Sequence, residues 1–343
     1  MSSVNQLITV AQIGCGYWGP NLLRNFTTAK NCKVKYLVDS SEERRAYVEN
    51  QFRGVKAVAD FDHALDDSEV DAIILATPAL SHYSLAKSAL LAGKHVFVEK
   101  PLATKVAEVD ELGSIAQQRN LILMAGHTFL FNNAVRYVRK LIDNDDLGEL
   151  RYIYSQRLNL GRIRSDIDAL WNFAPHDISI IQYWLNDIQP TKVSRSGMAY
   201  FQPGIDDVVF LNVEYPNKVM ANIHVSWLDP HKTRKMVVVG SKKMVVYDDV
   251  AEDKIAIYDK GIDQKAVLGE RMDYDQAPLP QFSYRTGDIL FPQVNFTEPL
   301  RAEVDHFLNC IKTGEEPITG YKHARQVVHI LEQAGGQNGK SPS

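Results

Sequence analysis

The sequence predicts an α/β protein in two parts. Residues 1–127 should form a doubly wound parallel sheet, and residues 128–343 an α/β domain built on a large open, mostly antiparallel sheet. Three observations carry this. Short apolar runs alternate with helical segments through the first 125 or so residues, the pattern of strands joined by crossover helices. A glycine motif closes the first apolar run. From Lys192 to about Leu268, strand-like runs separated by turn residues dominate, with few helices between them.

Taken in order, residues 8–13 form an apolar run that ends in glycines, and 21–26 a short helix. A β-branched run at 34–38 is followed by a polar helical stretch at 41–52, a short strand at 55–58 and a helix opening at 61–65. The run at 71–76 is continuously apolar after Asp71, as in a strand buried on both faces. The helix predicted from His82 stops at Gly93, a suitable C′ residue. Strands at 95–98 and 121–125 complete the first part.

Beyond residue 130 the pattern predicts a helix at 134–143, a strand at 150–160, and a helix at 170–185 carrying Trp171, His176 and Trp184. Strands follow at 208–215, 219–227, 235–239, 244–247 and 254–258, with turns at Pro216-Asn217 and Gly240-Ser241. Residues 269–293 are polar, carry Pro278, Pro280 and Pro292, and read as a long loop or arm. Two helices, 298–311 and 321–333, close the chain before a tail expected to fray.

The composition narrows the function. At 343 residues two domains are expected, and 45% apolar content supplies their cores. Thirty-eight basic against 42 acidic residues leave no surplus for a nucleic-acid backbone. Cys15, Cys32 and Cys310 are too few and too scattered for a disulfide framework or a zinc site, so no metal is expected and a reducing cytoplasm fits. The first ten residues lack the pattern of a secretory signal, and no apolar run reaches the ~18 residues of a membrane span.

Gly14-Cys15-Gly16-Tyr17-Trp18-Gly19 is a G-x-G-x-x-G between a strand and a helix, with Pro20 suited to the first turn. The first glycine permits the tight turn, the second admits a pyrophosphate to the backbone, and the third packs helix on strand. The helix N-terminus offers free N–H groups to the phosphates. Asp39, 20 residues beyond Gly19, stands where a carboxylate accepts hydrogen bonds from an adenosine ribose. It would repel a 2′-phosphate, favouring NAD over NADP, while Arg44 and Arg45 pull the other way.

Glu99-Lys100-Pro101 follows a strand whose carboxyl end faces the ligand crevice of such a sheet. Lys100 could polarise a substrate oxygen there, or be a surface loop lysine. Asn172 and His176 are four apart and share one helix face. A histidine near pH 7 can take a hydroxyl proton as hydride leaves the same carbon. It could equally be a packed helix histidine.

Together these pieces resemble the glucose–fructose oxidoreductase / inositol dehydrogenase / MocA family of nicotinamide sugar oxidoreductases, over nearly the whole chain. The resemblance rests on the glycine motif, Asp39, Thr77-Pro78 followed by His82, Glu99-Lys100-Pro101 and the His176 segment. It implies a Rossmann domain binding NAD through Gly14, Gly16, Tyr17, Trp18, Gly19, Asp39, Thr77, Pro78, His82, Glu99 and Lys100. Thr77 and Pro78 would border the nicotinamide, and Glu99 would help hold its ribose. Lys100 would contact substrate and nicotinamide, its bond to Pro101 often being cis, and His176 would be the acid/base. Two positions depart from the family pattern. Asn172 stands where Asp is common, and can orient a hydroxyl but not act as a base; Asp177 is a possible electrostatic substitute. Ala79 stands where Asn usually follows Thr-Pro.

Arg157, Asn159, Arg162 and Arg164, with Trp171, precede the histidine. Guanidinium groups bind oxyanions bidentately, so three arginines here could hold a diphosphate or sugar carboxylate, or be solvated sheet-edge charge. The segment looks like the branch of the family that acts on nucleotide-linked sugars. The expected reaction is NAD-dependent oxidation of a sugar ring hydroxyl to a ketone, or its reverse. A free polyol or inositol as substrate, an NAD-assisted redox glycosidase and a non-catalytic NAD or sugar sensor are the alternatives. Trp227, Asp229, His231 and Arg234 form a second polar–aromatic cluster, expected at a subunit contact or pocket rim. The face of the open sheet turned away from the nicotinamide should pair subunits into a homodimer or homotetramer.

Overall fold

The computed structural model describes residues 7–265 and 281–336. The chain forms two compact units. The first comprises Met1–Asn133, Ile178–Asp187 and Phe296–Ser343, and the second Ala134–Asp177 and Ile188–Asn295.

The first unit opens with β1 (Ile8–Ile13), α1 (Gly19–Thr27), β2 (Cys32–Val38), α2 (Glu42–Gln51) and β3 (Lys56–Val58). It continues with α3 (Asp62–Leu65), β4 (Ala72–Leu75), α4 (Ala79–Leu91), β5 (His95–Glu99), α5 (Val106–Gln118) and β6 (Leu123–Gly126). The six strands form one sheet in the order β3-β2-β1-β4-β5-β6, all parallel. The order reverses at β1, and in such sheets ligands bind outside the carboxyl ends at that switch point. Burial explains the unbroken apolar runs: every residue of β4 is buried.

In the second unit, α6 (Asn133–Asp143, entering from the last residue of the first unit) leads to β7 (Leu150–Leu160) and α7 (Ala169–Trp184), whose residues from Ile178 onward belong to the first unit. β8 (Lys192–Met198), β9 (Val208–Glu214), β10 (Met220–Ser226), β11 (Leu228–Gly240), β12 (Met244–Asp248), β13 (Ile255–Lys265) and β14 (Gln281–Leu290) follow. They build an eight-stranded sheet in the order β14-β13-β12-β11-β7-β10-β9-β8. Only β10 and β7 pair in parallel; the other neighbours are antiparallel. Period-two alternation sets its faces. Val209, Leu211, Val213, Ala221, Ile223 and Val225 are buried on one side, while Met198, Phe210, Met220 and Tyr152 are exposed on the other.

Two differences from expectation stand out. β14 lies where the sequence predicts a loop or arm, and the remaining part of that stretch, 269–280, falls outside the described residues. Its ladder with β13 is stitched by charge: Arg285 on β14 pairs with Asp259 and Asp263 on β13. Only Phe282 and Tyr284 alternate with polar residues in its sequence, too short a signal to mark the strand. The closing helices, α8 (Pro299–Thr313) and α9 (Tyr321–Gly336), belong to the first unit and not to the sheet that precedes them. Phe307 of α8 meets Phe26 and Phe97 edge-to-face at 6.3 and 5.6 Å, so the C-terminus completes the core beneath the parallel sheet. The predicted tail, 335–343, lies largely outside the described residues.

Candidate active site

In the first unit the glycine loop closes β1. Gly14 has φ +91°, and a Cβ there would stand 2.6 Å from the Ala76 carbonyl oxygen, so only glycine fits. At Gly16 nothing lies within 4 Å of where a Cβ would stand, which leaves its backbone open to a pyrophosphate. Tyr17 is 95% exposed and Trp18 is also exposed, so both present aromatic surface from the loop. Gln12 buttresses the turn by donating to the carbonyls of Gly14 and Gly19.

Asp39 follows β2 with its carboxylate almost wholly buried. One oxygen accepts from Cys15 N at 2.8 Å and the other from Ser41 N at 2.9 Å. A carboxylate has about four lone-pair sites, so two remain for a ribose diol. Arg44 approaches Asp39 at 3.6 Å, and Arg45 caps the carbonyls of Asp39 and Ser40. These residues fit an NAD adenosine and pyrophosphate.

At the carboxyl ends of β4 and β5, Thr77 is half-buried, Pro78 exposed, and Glu99 and Lys100 half-buried. The Lys100–Pro101 peptide is cis. His82 is expected at the cofactor, yet it is 1% exposed. Its two ring nitrogens lie 2.8 Å from Thr77 O and 2.7 Å from Pro101 O, and the neutral ring donates to one of them, a contact between the loops at the carboxyl ends of β4 and β5. It therefore positions them and has no surface to offer a ligand. Burial holds its pKa below the ordinary histidine range, with the two carbonyls opposing. Glu99 is pushed up to about 7 by burial, against the Lys100 charge, the following amide and the Trp18 indole.

In the second unit, Asp168 caps α7 by accepting from Trp171 N at 2.9 Å. Arg195 pairs with both Asp168 and Asp206, and so anchors that cap. Along residues 171–177 the partly exposed positions are Asn172, Phe173 and His176, one stripe of the helix. Trp171 is 7% exposed, which makes it a packing residue before a ligand contact.

The arginine-rich segment separates. Arg157 is buried and forms a two-bonded ion pair with Asp177, both contacts at 3.0 Å. It cannot hold a substrate oxyanion, and Asp177, committed to Arg157, does not stand in for the acid absent at Asn172. Arg164 pairs with Asp166, Arg162 is exposed, and Asn159 is half-buried. Trp227 is likewise no rim residue: it is fully buried and its indole N–H bonds Asp207.

Sequence reasoning missed a buried polar group in the first unit: His127, Glu303, Thr319 and His323. The available signal was His127, directly after Gly126 at the carboxyl end of β6, a position of the same kind as Lys100.

A family profile described as "Oxidoreductase family, NAD-binding Rossmann fold" matches residues 8–127, and one described as "GFO/IDH/MocA C-terminal domain" matches residues 135–246. The chain belongs to the Gfo/Idh/MocA oxidoreductase family. Among relatives, UDP-N-acetylglucosamine 3-dehydrogenase of Acidithiobacillus ferrooxidans is 28% identical over 253 residues, 73% of this chain and 76% of that protein. 2,7-Anhydro-N-acetylneuraminate hydratase of Escherichia coli is 25% identical over 255 residues, 71% and 68% of the two. The solved structure of the Acidithiobacillus enzyme superposes with TM-score 0.78 at 25% identity, covering 95% of this chain and 96% of that one. The protein is thus an NAD-binding oxidoreductase of this family, and among its described residues no helix is long and apolar enough to cross a membrane.

Proposed function

We propose that this protein is a cytoplasmic dehydrogenase that oxidises a ring hydroxyl of a nucleotide-linked sugar to a ketone, or reduces the ketone. What supports the reading is that one chain carries an NAD-type loop with Lys100 at the carboxyl end of β5 and, separately, the Asn172/His176 stripe on α7. Gly14, Gly16, Gly19 and Asp39 would hold the dinucleotide, with Tyr17, Trp18, Thr77, Pro78 and Glu99 beside it. NAD, when bound, supplies the acceptor for the hydrogen and electron pair that leave the carbinol carbon. Lys100 and Asn172 hold the substrate oxygen through donated hydrogen bonds. His176 takes the hydroxyl proton as the carbonyl forms.

The nucleotide-linked substrate rests on the named dehydrogenase relative and on Arg162, which is exposed on its loop, with Arg164 beside it paired to Asp166. The exposed Tyr152, Met198, Phe210 and Met220 on one face of the open sheet support pairing of subunits through that face.

The test is NADH absorbance when the protein and NAD meet two panels, UDP- and dTDP-linked sugars against free sugars and inositols. The reading expects signal from the nucleotide sugars. Signal from polyols alone would make Arg162 and Arg164 ordinary surface charge. Glycoside cleavage without net NADH would replace the reading by a redox glycosidase. Binding with no hydride transfer to any sugar would leave a sensor.

A further inference from the structure

Beneath the carboxyl ends of β5 and β6 the first unit buries a set of titratable groups of which the proposed function uses only Glu99, beside the dinucleotide. Glu99 ends β5 opposite Gly126, its register partner, and a Cβ on Gly126 would stand 3.2 Å from the Glu99 carboxyl carbon. From α8, Glu303 accepts a hydrogen bond from Thr128 Oγ1 at 2.7 Å and lies near enough to Glu99 for the two carboxyls to repel. His127, fully buried, meets the His323 ring of α9 edge-to-face at 5.4 Å. His323 Nδ1 bonds the Asp187 carboxylate at 2.7 Å, and that carboxylate is 38% exposed.

Six buried polar atoms converge here without a protein hydrogen-bond partner: Glu99 Oε1, Glu303 Oε1, both ring nitrogens of His127, His323 Nε2 and Thr319 Oγ1. Buried polar atoms of this kind are ordinarily satisfied by bound water, and a site with so many donors and acceptors gives each water several partners. Lys100 faces the group: its charge acts on Glu99, His127 and His82. His82 is engaged by two carbonyls and lies outside the set.

We propose that Glu99, Glu303, His127 and His323, linked by bound water, form a proton path between Lys100 and solvent at Asp187. The path rests on the reading that Lys100 holds the substrate oxygen. NAD, when bound, would accept the hydrogen and electron pair of the carbinol C–H bond, and the proton of the O–H bond is left to the protein. His176 takes that proton and, on returning to neutral, gives it through the substrate-oxygen site to Lys100, which passes one of its own to the carboxyl–imidazole group. His323 hands one on to Asp187, and one proton reaches solvent per turnover. Reduction runs the path backwards. Burial pushes Glu303 well above the carboxylate range and His127 well below the histidine range, so the path at rest is uncharged at both groups and can accept or release a proton.

The test has one readout without substrate and one with it. In the full-length protein labelled with 15N-histidine, Asp187→Asn should shift the imidazole signals of both His323 and His127, and Glu303→Gln that of His127. A His127 signal unmoved by either change overturns the path. With UDP-N-acetylglucosamine as the probe, Glu303→Gln, which keeps the Thr128 bond, should lower NADH formation by about 10²-fold and change its pH profile. Wild-type rate and wild-type pH profile in that variant also overturn it. If the probe is not oxidised but the two histidines move together, the path is supported and the substrate assignment is what fails.

Discussion

Asp39 shows how much one residue can reveal and conceal. Its place after β2 is legible from the spacing to the glycine motif. Its second task is not, because the bonds from Cys15 N and Ser41 N depend on how the loop folds back. Asp39→Ala should therefore weaken NAD binding by about 10- to 100-fold, the worth of a hydrogen bond to a charged group, read by calorimetric titration. Glu99 gives a pH signature. Its folded pKa of about 7 exceeds the ordinary 4.5, so between these values the folded protein keeps a proton that the unfolded chain releases. This group's contribution to stability thus falls as pH rises through that window. In melting curves of the NAD-free protein, Glu99→Gln should gain on the wild type from about pH 4.5 to 7 and hold a constant margin above. His82 and Arg157 mark the limit of reading residues singly. Both look like ligand contacts in sequence, and both are buried because their partners, Pro101 O and Asp177, come from distant segments.

Among the elements, strands and helices with strong periodicity were legible nearly to their ends, as with β7 and α7. β14 was not, since its ladder rests on Arg285 and two aspartates. The first half of β11 also escaped: Asp229, Pro230 and His231 are poor strand formers held by the sheet around them. The helix that carries His176 depends on the Arg157–Asp177 pair for the residue next to it. Arg157→Ala should cost about 3–5 kcal/mol in urea unfolding, because it strands a buried carboxylate. Removing both partners should cost less than that single change. If Arg157→Ala were neutral, the pair would not be what holds this part of α7 in place.

At the scale of the molecule, two units, a parallel sheet and an open sheet could be read from the change in strand pattern near residue 130. The return of α8 and α9 to the first unit could not, because helical periodicity says which face is buried but not against what. Sheet-mediated pairing predicts a dimer or tetramer in sedimentation equilibrium. Phe210→Asp, placing a charge on the exposed apolar face, should shift it to protomers. If Lys100 and His176 perform the oxidation while the glycine loop and Asp39 hold NAD, turnover and cofactor affinity separate by mutation. The most direct measurement follows NADH formation and NAD affinity together in the wild type, Lys100→Ala and His176→Ala, with UDP-N-acetylglucosamine as substrate. Turnover should fall by about 10²-fold or more in each variant with NAD affinity nearly unchanged. Wild-type turnover in both variants would contradict it.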